Sequence, residues 1–168
     1  MKSFKEEMME YKRQMELGVI PDAYRGLMDF MSGLKTYLKN KYPDYIVSGS
    51  LYFGYMDMTY FSFFPESLKK YKLKTGIVFI HETCHFEAWL FGVNKKIQEK
   101  YWKMIKDSDW DQYQLVASTE GEDAILTHVV SRDPDFGDLV ALTEIIDLES
   151  LEFIKNVENF LGKTYMSR

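Results

Sequence analysis

Residues 73–92 read LKTGIVFIHETCHFEAWLFG, and this stretch decides the fold. Two runs rich in aromatic and β-branched residues flank its centre, and such runs favour β-strands. When Glu82 and Thr83 form the tip of a hairpin, Phe79 pairs with Phe86 and both strands share one almost entirely apolar face. That face carries Ile77, Phe79, Cys84, Phe86, Ala88 and Leu90, and the opposite, mixed face carries Val78, Ile80, His85, Glu87, Trp89 and Phe91. The sequence therefore predicts an antiparallel hairpin of strands 73–80 and 85–92.

The tip of this hairpin also matches H-E-x-x-H, a signature that is typical of zinc metalloproteases. In a helix, His81 and His85 would share one face and bind zinc, with Glu82 as the general base for a zinc-bound water. In the hairpin the two imidazoles point to opposite faces, and no acidic residue stands out as a third ligand. The hairpin register favours a chain without a metal or other cofactor. A zinc-dependent hydrolase that uses these three residues is the alternative.

A second hairpin precedes this one in the chain. The aromatic and β-branched residues between Tyr45 and Phe64 predict strands 45–54 and 57–64, with Gly54 opposite Asp57 in the turn. Hairpins with short turns imply antiparallel pairing, and helical segments flank the two hairpins. We therefore expect an α+β fold, with an antiparallel sheet of two main hairpins packed against N- and C-terminal helices, as a single domain over residues 1–168.

The helical segments are marked by their caps. Ser3 and Glu6 form a capping-box pattern, Gly18 is a natural stop, and Pro21 suits the first turn of the next helix. Asn94 is a predicted N-cap, and Gly162 is the predicted end of the last helix. The expected helices are 4–17, 21–40, 94–106 and a C-terminal third that opens at Asp133-Pro134, with two short strands near 114–118 and 124–130.

The mixed faces of the two hairpins together suggest a binding surface. If both hairpins lie in one sheet, one face collects aromatic walls and a few convergent polar groups, which suits a small ligand or a peptide. The candidate residues are Ser50, Tyr52, Thr59, His85, Glu87 and Trp89, with Ser48 beside them. The alternative is that a helix or another subunit covers this face.

Composition narrows the class of protein. The chain has 168 residues, of which 46% are hydrophobic and 16% are aromatic, so it can bury a core without disulfides. Its net charge of −5 and the lack of a basic stripe argue against a nucleic-acid partner. The single Cys84 fits a reducing compartment, and the charged N-terminus and short apolar runs argue against a signal peptide or a membrane span. We expect a soluble cytoplasmic protein.

Three long runs carry a family resemblance: YPDYIVSGSLYFGYMDMTYFSFFPESLK, IVFIHETCHFEAWLFGVNKKIQEKYW and DPDFGDLVALTEII. They resemble a bacterial family of uncharacterised proteins of about this length, and the resemblance covers nearly the whole chain. The family's pattern continues HE with an Arg-Phe-Glu-type strand, so His85 is a departure from it. The resemblance implies a single-domain protein, and no activity, cofactor or catalytic residue comes with it.

These observations favour a protein without a recognisable enzymatic activity. It would bind a small molecule or a protein partner through its sheet, without nucleic acid or membrane as a partner. The alternatives are the zinc hydrolase and a structural module that buries the sheet face in a homo-oligomer.

Overall fold

A computed structural model describes residues 1–167. The chain divides into two compact units, one that ends at Leu34 and one that begins at Lys35. The first unit holds helix α1 (Phe4–Leu17) and most of helix α2 (Val19–Lys41). The second unit holds the sheet and the remaining helices. The prediction of a single domain stays a prediction.

The caps of α1 form as the sequence predicts. The Ser3 hydroxyl accepts a hydrogen bond from the Glu6 N–H, and the Glu6 carboxylate accepts one from the Ser3 N–H. Gly18 adopts a φ of 81°, the left-handed conformation that ends helices and that glycine tolerates best. Helix α2 begins at Val19, earlier than predicted, because Pro21 still lies in the first turn, where its missing N–H breaks no hydrogen bond.

The described residues form one sheet, whose strands are β1 (Tyr45–Val47), β2 (Met58–Pro65), β3 (Leu73–Ile80), β4 (His85–Gly92), β5 (Gln114–Leu115) and β6 (Ala124–Ser131). Their order in the sheet is β1-β2-β3-β4-β6-β5, and every neighbouring pair is antiparallel. A 3₁₀ helix, Glu66–Tyr71, joins β2 to β3. The α+β class and the antiparallel sheet are thus confirmed.

The hairpin of β3 and β4 has the predicted strands and the predicted register. Phe79 pairs with Phe86, and Ile77 pairs with Ala88. The last pair is Ile80 with His85, so the turn holds four residues, from His81 to Cys84. Cys84 takes a φ of 52° in this turn. A two-residue Glu-Thr turn would lack the Gly or Asn that such turns prefer, and the four-residue turn does not need them at those positions.

The hairpin that contains β2 differs from its predicted register. Ile46 pairs with Phe64, whereas the bridge nearer the turn joins Tyr52 to Tyr60. Between these two pairs the first strand advances by six residues, from Ile46 to Tyr52, and its partner by four, from Tyr60 to Phe64. The chain between β1 and the bridge therefore carries two extra residues and leaves the ladder. The predicted strand 45–54 and the pairing of Gly54 with Asp57 are wrong for this reason.

Two helices cover the face of the sheet that we call the core face, which carries Phe61, Ile77, Phe79, Phe86 and Ala88. Helix α3 (Lys95–Lys106), capped by Asn94 as predicted, packs against β4 and β6, and so does helix α4 (Leu139–Met166). Helix α4 begins at the Asp138 cap and continues through Gly162. The predicted stop at Gly162 is wrong, because one glycine costs only about 1 kcal/mol in a helix and Tyr165, in the continued helix, is hydrogen-bonded to Tyr101.

None of the helices within residues 1–167 is both long and apolar enough to cross a bilayer.

Candidate functional site

The two histidines of the H-E-x-x-H segment lie on opposite faces of the sheet. The His81 ring lies 5.1 Å from the Phe79 ring on the core face, and His85 begins β4 on the other face. The helical i, i+4 geometry that two zinc-binding imidazoles need is not formed, because the segment is a turn followed by a strand. Within residues 1–167, no group of three or more His, Cys, Asp or Glu side chains is arranged to hold a metal ion.

His81 joins the turn to the loop that precedes β2. Thr59, which is fully buried, donates its hydroxyl hydrogen to the Phe53 carbonyl at 2.7 Å and lies 2.8 Å from His81 Nε2. Since the hydroxyl has only one hydrogen, Nε2 is the protonated ring nitrogen in this contact. Burial lowers the pKa of His81, and the nearby Asp57 charge opposes that shift only in part. The neutral imidazole is therefore the form that this network stabilises.

We expect His81 to make stability depend on pH. Its pKa is lower in the folded chain than the usual value of 6.5, so its contribution is present above pH 6.5 and is lost as the pH falls towards the folded pKa. The variant His81→Gln keeps an N–H donor for Thr59 and cannot titrate. The free energy of unfolding in urea, measured at pH 7.5 and pH 5.5, should show the advantage of the wild type over this variant shrinking at the lower pH. An advantage that is equal at both values would contradict the prediction.

A chain of hydrogen bonds runs along β4 on the face opposite the core. His85 Nδ1 lies 2.6 Å from the Thr83 hydroxyl, and His85 Nε2 lies 2.6 Å from Glu87 Oε1. Trp89 Nε1 donates to Glu87 Oε2 at 2.5 Å. His85, Glu87 and Trp89 occupy every second position of β4, so their side chains all point to the same face of the sheet. The side chains of His85 and Glu87 are 15% and 16% exposed, so the carboxylate is largely removed from water while both its oxygens hold N–H donors.

Four aromatic rings extend from this chain across the sheet. Trp89 lies 5.7 Å from Phe91, Phe91 stacks on Tyr60 at 5.5 Å, and Tyr60 lies 5.2 Å from Tyr52. Phe91 can reach Tyr60 because its ring crosses Gly76, where an added Cβ would lie 3.1 Å from Phe91 Cε2. We call this surface the aromatic face, and define it by Tyr52, Tyr60, Glu87, Trp89 and Phe91.

The aromatic face holds some of the predicted residues and excludes others. Tyr52, Glu87 and Trp89 belong to it, and His85 lies beside Glu87 on the same side of the sheet. That these residues bind a ligand stays a prediction. Ser50 lies in an exposed bend outside the strands, and the predicted grouping of Thr59 with Glu87 is wrong.

The strand pairing explains why Thr59 is excluded. Tyr60 pairs with Val78, and Val78 pairs with Glu87, so Tyr60 shares the face of Glu87. Thr59, one residue away, pairs with Phe79 and points to the core face. Sequence reasoning missed Tyr60 because no local signal sets the register between β2 and β3. The β3–β4 hairpin register by itself predicts Phe91 on the mixed face. The contact of the Thr83 hydroxyl with His85 carries no sequence signal, because Thr83 lies in the turn.

Two charged groups act on the rings of the aromatic face. Burial raises the pKa of the Tyr60 phenol, and the negative charge of Asp123 raises it further. The ammonium of Lys74 lies 5.8 Å from the centre of the Phe91 ring. The face thus already attracts a cation from its own chain.

A family model described as "Domain of unknown function (DUF7000)" matches residues 4–161. No curated protein and no solved structure matches the chain.

Proposed function

The chain belongs to the DUF7000 family, a domain of unknown function, and from that premise we propose that it binds a small organic molecule on the aromatic face. The observation that carries the proposal is the Glu87 carboxylate, which is 16% exposed and stands at the end of a row of four rings. Ligand sites of this kind combine apolar and aromatic walls with a few oriented polar groups.

The polar groups of this face are held in place before any ligand arrives. His85 and Trp89 each bond one oxygen of Glu87, which restricts its rotamer, and Thr83 bonds the far side of His85. A carboxylate has about four acceptor sites, so two of them remain for a ligand. Tyr52, at the opposite end of the row, is 41% exposed and offers a ring face from the solvent side. Binding a ligand would therefore cost little side-chain conformational entropy, because the polar side chains of the site are already ordered.

We expect a screen of small polar and aromatic molecules by thermal shift, followed by calorimetric titration of the full chain, to find a saturable ligand that raises the melting temperature. Glu87→Gln keeps the shape and removes the charge, and Trp89→Phe keeps a ring and removes the N–H donor. Each should weaken binding about ten-fold or more, because Glu87→Gln removes the charge at the site and Trp89→Phe removes the N–H that orients Glu87.

Glu149→Gln is the matched control. Glu149 forms the other His–Glu pair found within residues 1–167, with its Oε2 3.2 Å from His128 Nε2, on the helix α4 side of the sheet. Its loss should leave binding unchanged. Two results together would replace the proposal with the oligomeric alternative. The screen would find no ligand, and light scattering would show a dimer that Trp89→Ala dissociates. We place the binding function in the cytoplasm, as the composition predicts.

A further inference from the structure

Within residues 1–167, no lysine or arginine forms an ion pair with the Glu87 carboxylate. Among residues 1–167, His85 is its only ion-pair partner. The Trp89 N–H donates to one of its oxygens, and His85 Nε2 lies within hydrogen-bond distance of the other. A carboxylate that is largely withdrawn from water is stabilised by a cation nearby.

The rings beside Glu87 favour a cation as well. The face of an aromatic ring is negative, and a cation within about 6 Å of its centre is attracted to it. The indole of Trp89 is bonded to Glu87 itself, so an ammonium could contact the carboxylate and a ring together. The Lys74 ammonium near Phe91 is an example of such a contact within the chain.

Other charges near the aromatic face also favour a cationic ligand. Asp123 lies close enough to Tyr60 to raise the pKa of its phenol, so a second carboxylate acts on the row of rings away from Glu87. Lys74 is the one ammonium that contacts these rings among the described residues. The whole chain has 26 acidic and 21 basic residues, and its field would repel an anionic ligand.

We infer that the ligand class of the aromatic face is an organic cation, an alkylammonium whose charge pairs with Glu87 and whose hydrocarbon lies on the half-buried Trp89. This inference rests on the proposed binding function and names the chemistry of its ligand. Quaternary and tertiary ammonium groups suit the site best, because they are weakly hydrated and bring apolar surface to the rings.

Three probes that share a benzyl group and differ in charge test whether the aromatic face prefers a cation. They are benzyltrimethylammonium, benzyl alcohol and phenylacetate. Each is titrated into the full chain while the indole N–H signals of its three tryptophans are followed by NMR, with Trp89→Phe to assign the Trp89 signal. We expect benzyltrimethylammonium to shift the Trp89 signal and to bind at least about ten-fold more tightly than the other two probes.

Two charge variants sharpen the test. Glu87→Gln should abolish the preference for the ammonium probe, and Lys74→Gln should strengthen its binding, because the competing ammonium beside Phe91 is gone. Glu149→Gln should leave the preference unchanged. A preference that survives in Glu87→Gln overturns the inference.

The outcomes separate this inference from the binding function. If benzyl alcohol or phenylacetate binds the aromatic face as tightly as the ammonium probe, the face binds ligands but not by charge, and only the inference fails. If no probe binds but a library compound does, a neutral or anionic compound overturns the inference and an ammonium compound supports it. If neither the probes nor the library bind, the inference and the binding function fail together.

Discussion

Replacing Phe86 with alanine is expected to lower the free energy of unfolding by about 3–5 kcal/mol, the usual cost of removing a fully buried phenylalanine. Phe86 is 0% exposed, and its ring lies 5.0 Å from Phe79 and 6.2 Å from Phe136. Close packing prevents these neighbours from filling the space, so the loss includes a cavity as well as the lost burial. Urea unfolding followed by circular dichroism measures the change.

Phe136 provides the matched control for this substitution. It belongs to the same group of rings, 6.3 Å from Phe79, but it is 46% exposed. Phe136→Ala should therefore cost only about 1 kcal/mol. If Phe86→Ala does not fold, Phe86→Leu should fold with a smaller loss. Equal losses for Phe86→Ala and Phe136→Ala would contradict the burial of β4 on the core face.

Replacing Asp147 with alanine is expected to cost about 3 kcal/mol, because a buried carboxylate with charge-assisted hydrogen bonds is lost. Asp147 lies in α4 with its side chain 1% exposed. It accepts hydrogen bonds from the hydroxyls of Tyr37 and Tyr42, at 3.1 and 2.7 Å, and from the Lys41 ammonium at 2.5 Å. These bonds fasten the end of α2 to α4. Burial, together with Asp147, raises the pKa of Tyr42 to about 12, so its phenol stays protonated and donates.

Three variants separate the parts of this cluster. Asp147→Asn keeps an acceptor without the charge and should lose less stability than Asp147→Ala. Glu144→Ala removes an exposed carboxylate one turn earlier in α4 and should change stability by less than about 0.5 kcal/mol. Lys41→Met removes the ammonium and tests its contribution to stability. In Asp147→Ala the Lys41 side chain, which is 45% exposed, can turn to water because it has lost its partner. A loss for Asp147→Ala no larger than that for Glu144→Ala would show that the cluster does not stabilise the fold.

The strands and the register of the β3–β4 hairpin could be predicted because their information is local, whereas its turn is longer than predicted. Its two strands lie within twenty residues, and only one register puts Phe79 opposite Phe86 with both on an apolar face. The helix caps at Ser3 and Asn94 are local in the same way, since each side chain bonds an N–H three residues further on. Features that depend on residues close together in the chain leave few alternative local structures to choose between.

The hairpin around β2 could not be predicted in the same detail. Residues between β1 and the Tyr52–Tyr60 bridge leave the ladder, and contacts distant in sequence hold them there. The Lys35 ammonium bonds the Gly49 carbonyl at 2.8 Å, and Thr59 bonds both Phe53 and His81. Pattern alone does not reveal an irregular segment of this kind, because its strand-like composition continues through it.

The sequence by itself determined the class of fold, the register of β3 with β4, and the separation of His81 from His85 onto opposite faces, because alternation along two adjacent strands decides all three. Only the tertiary structure decided which residues stand beside Glu87. The pairing of β2 with β3 places Tyr60, and not Thr59, on the aromatic face, and a shift of one residue would exchange them. The role of Asp147 was decided in the same way, because its partners Tyr37, Lys41 and Tyr42 are more than a hundred residues away in the chain and meet it only after folding.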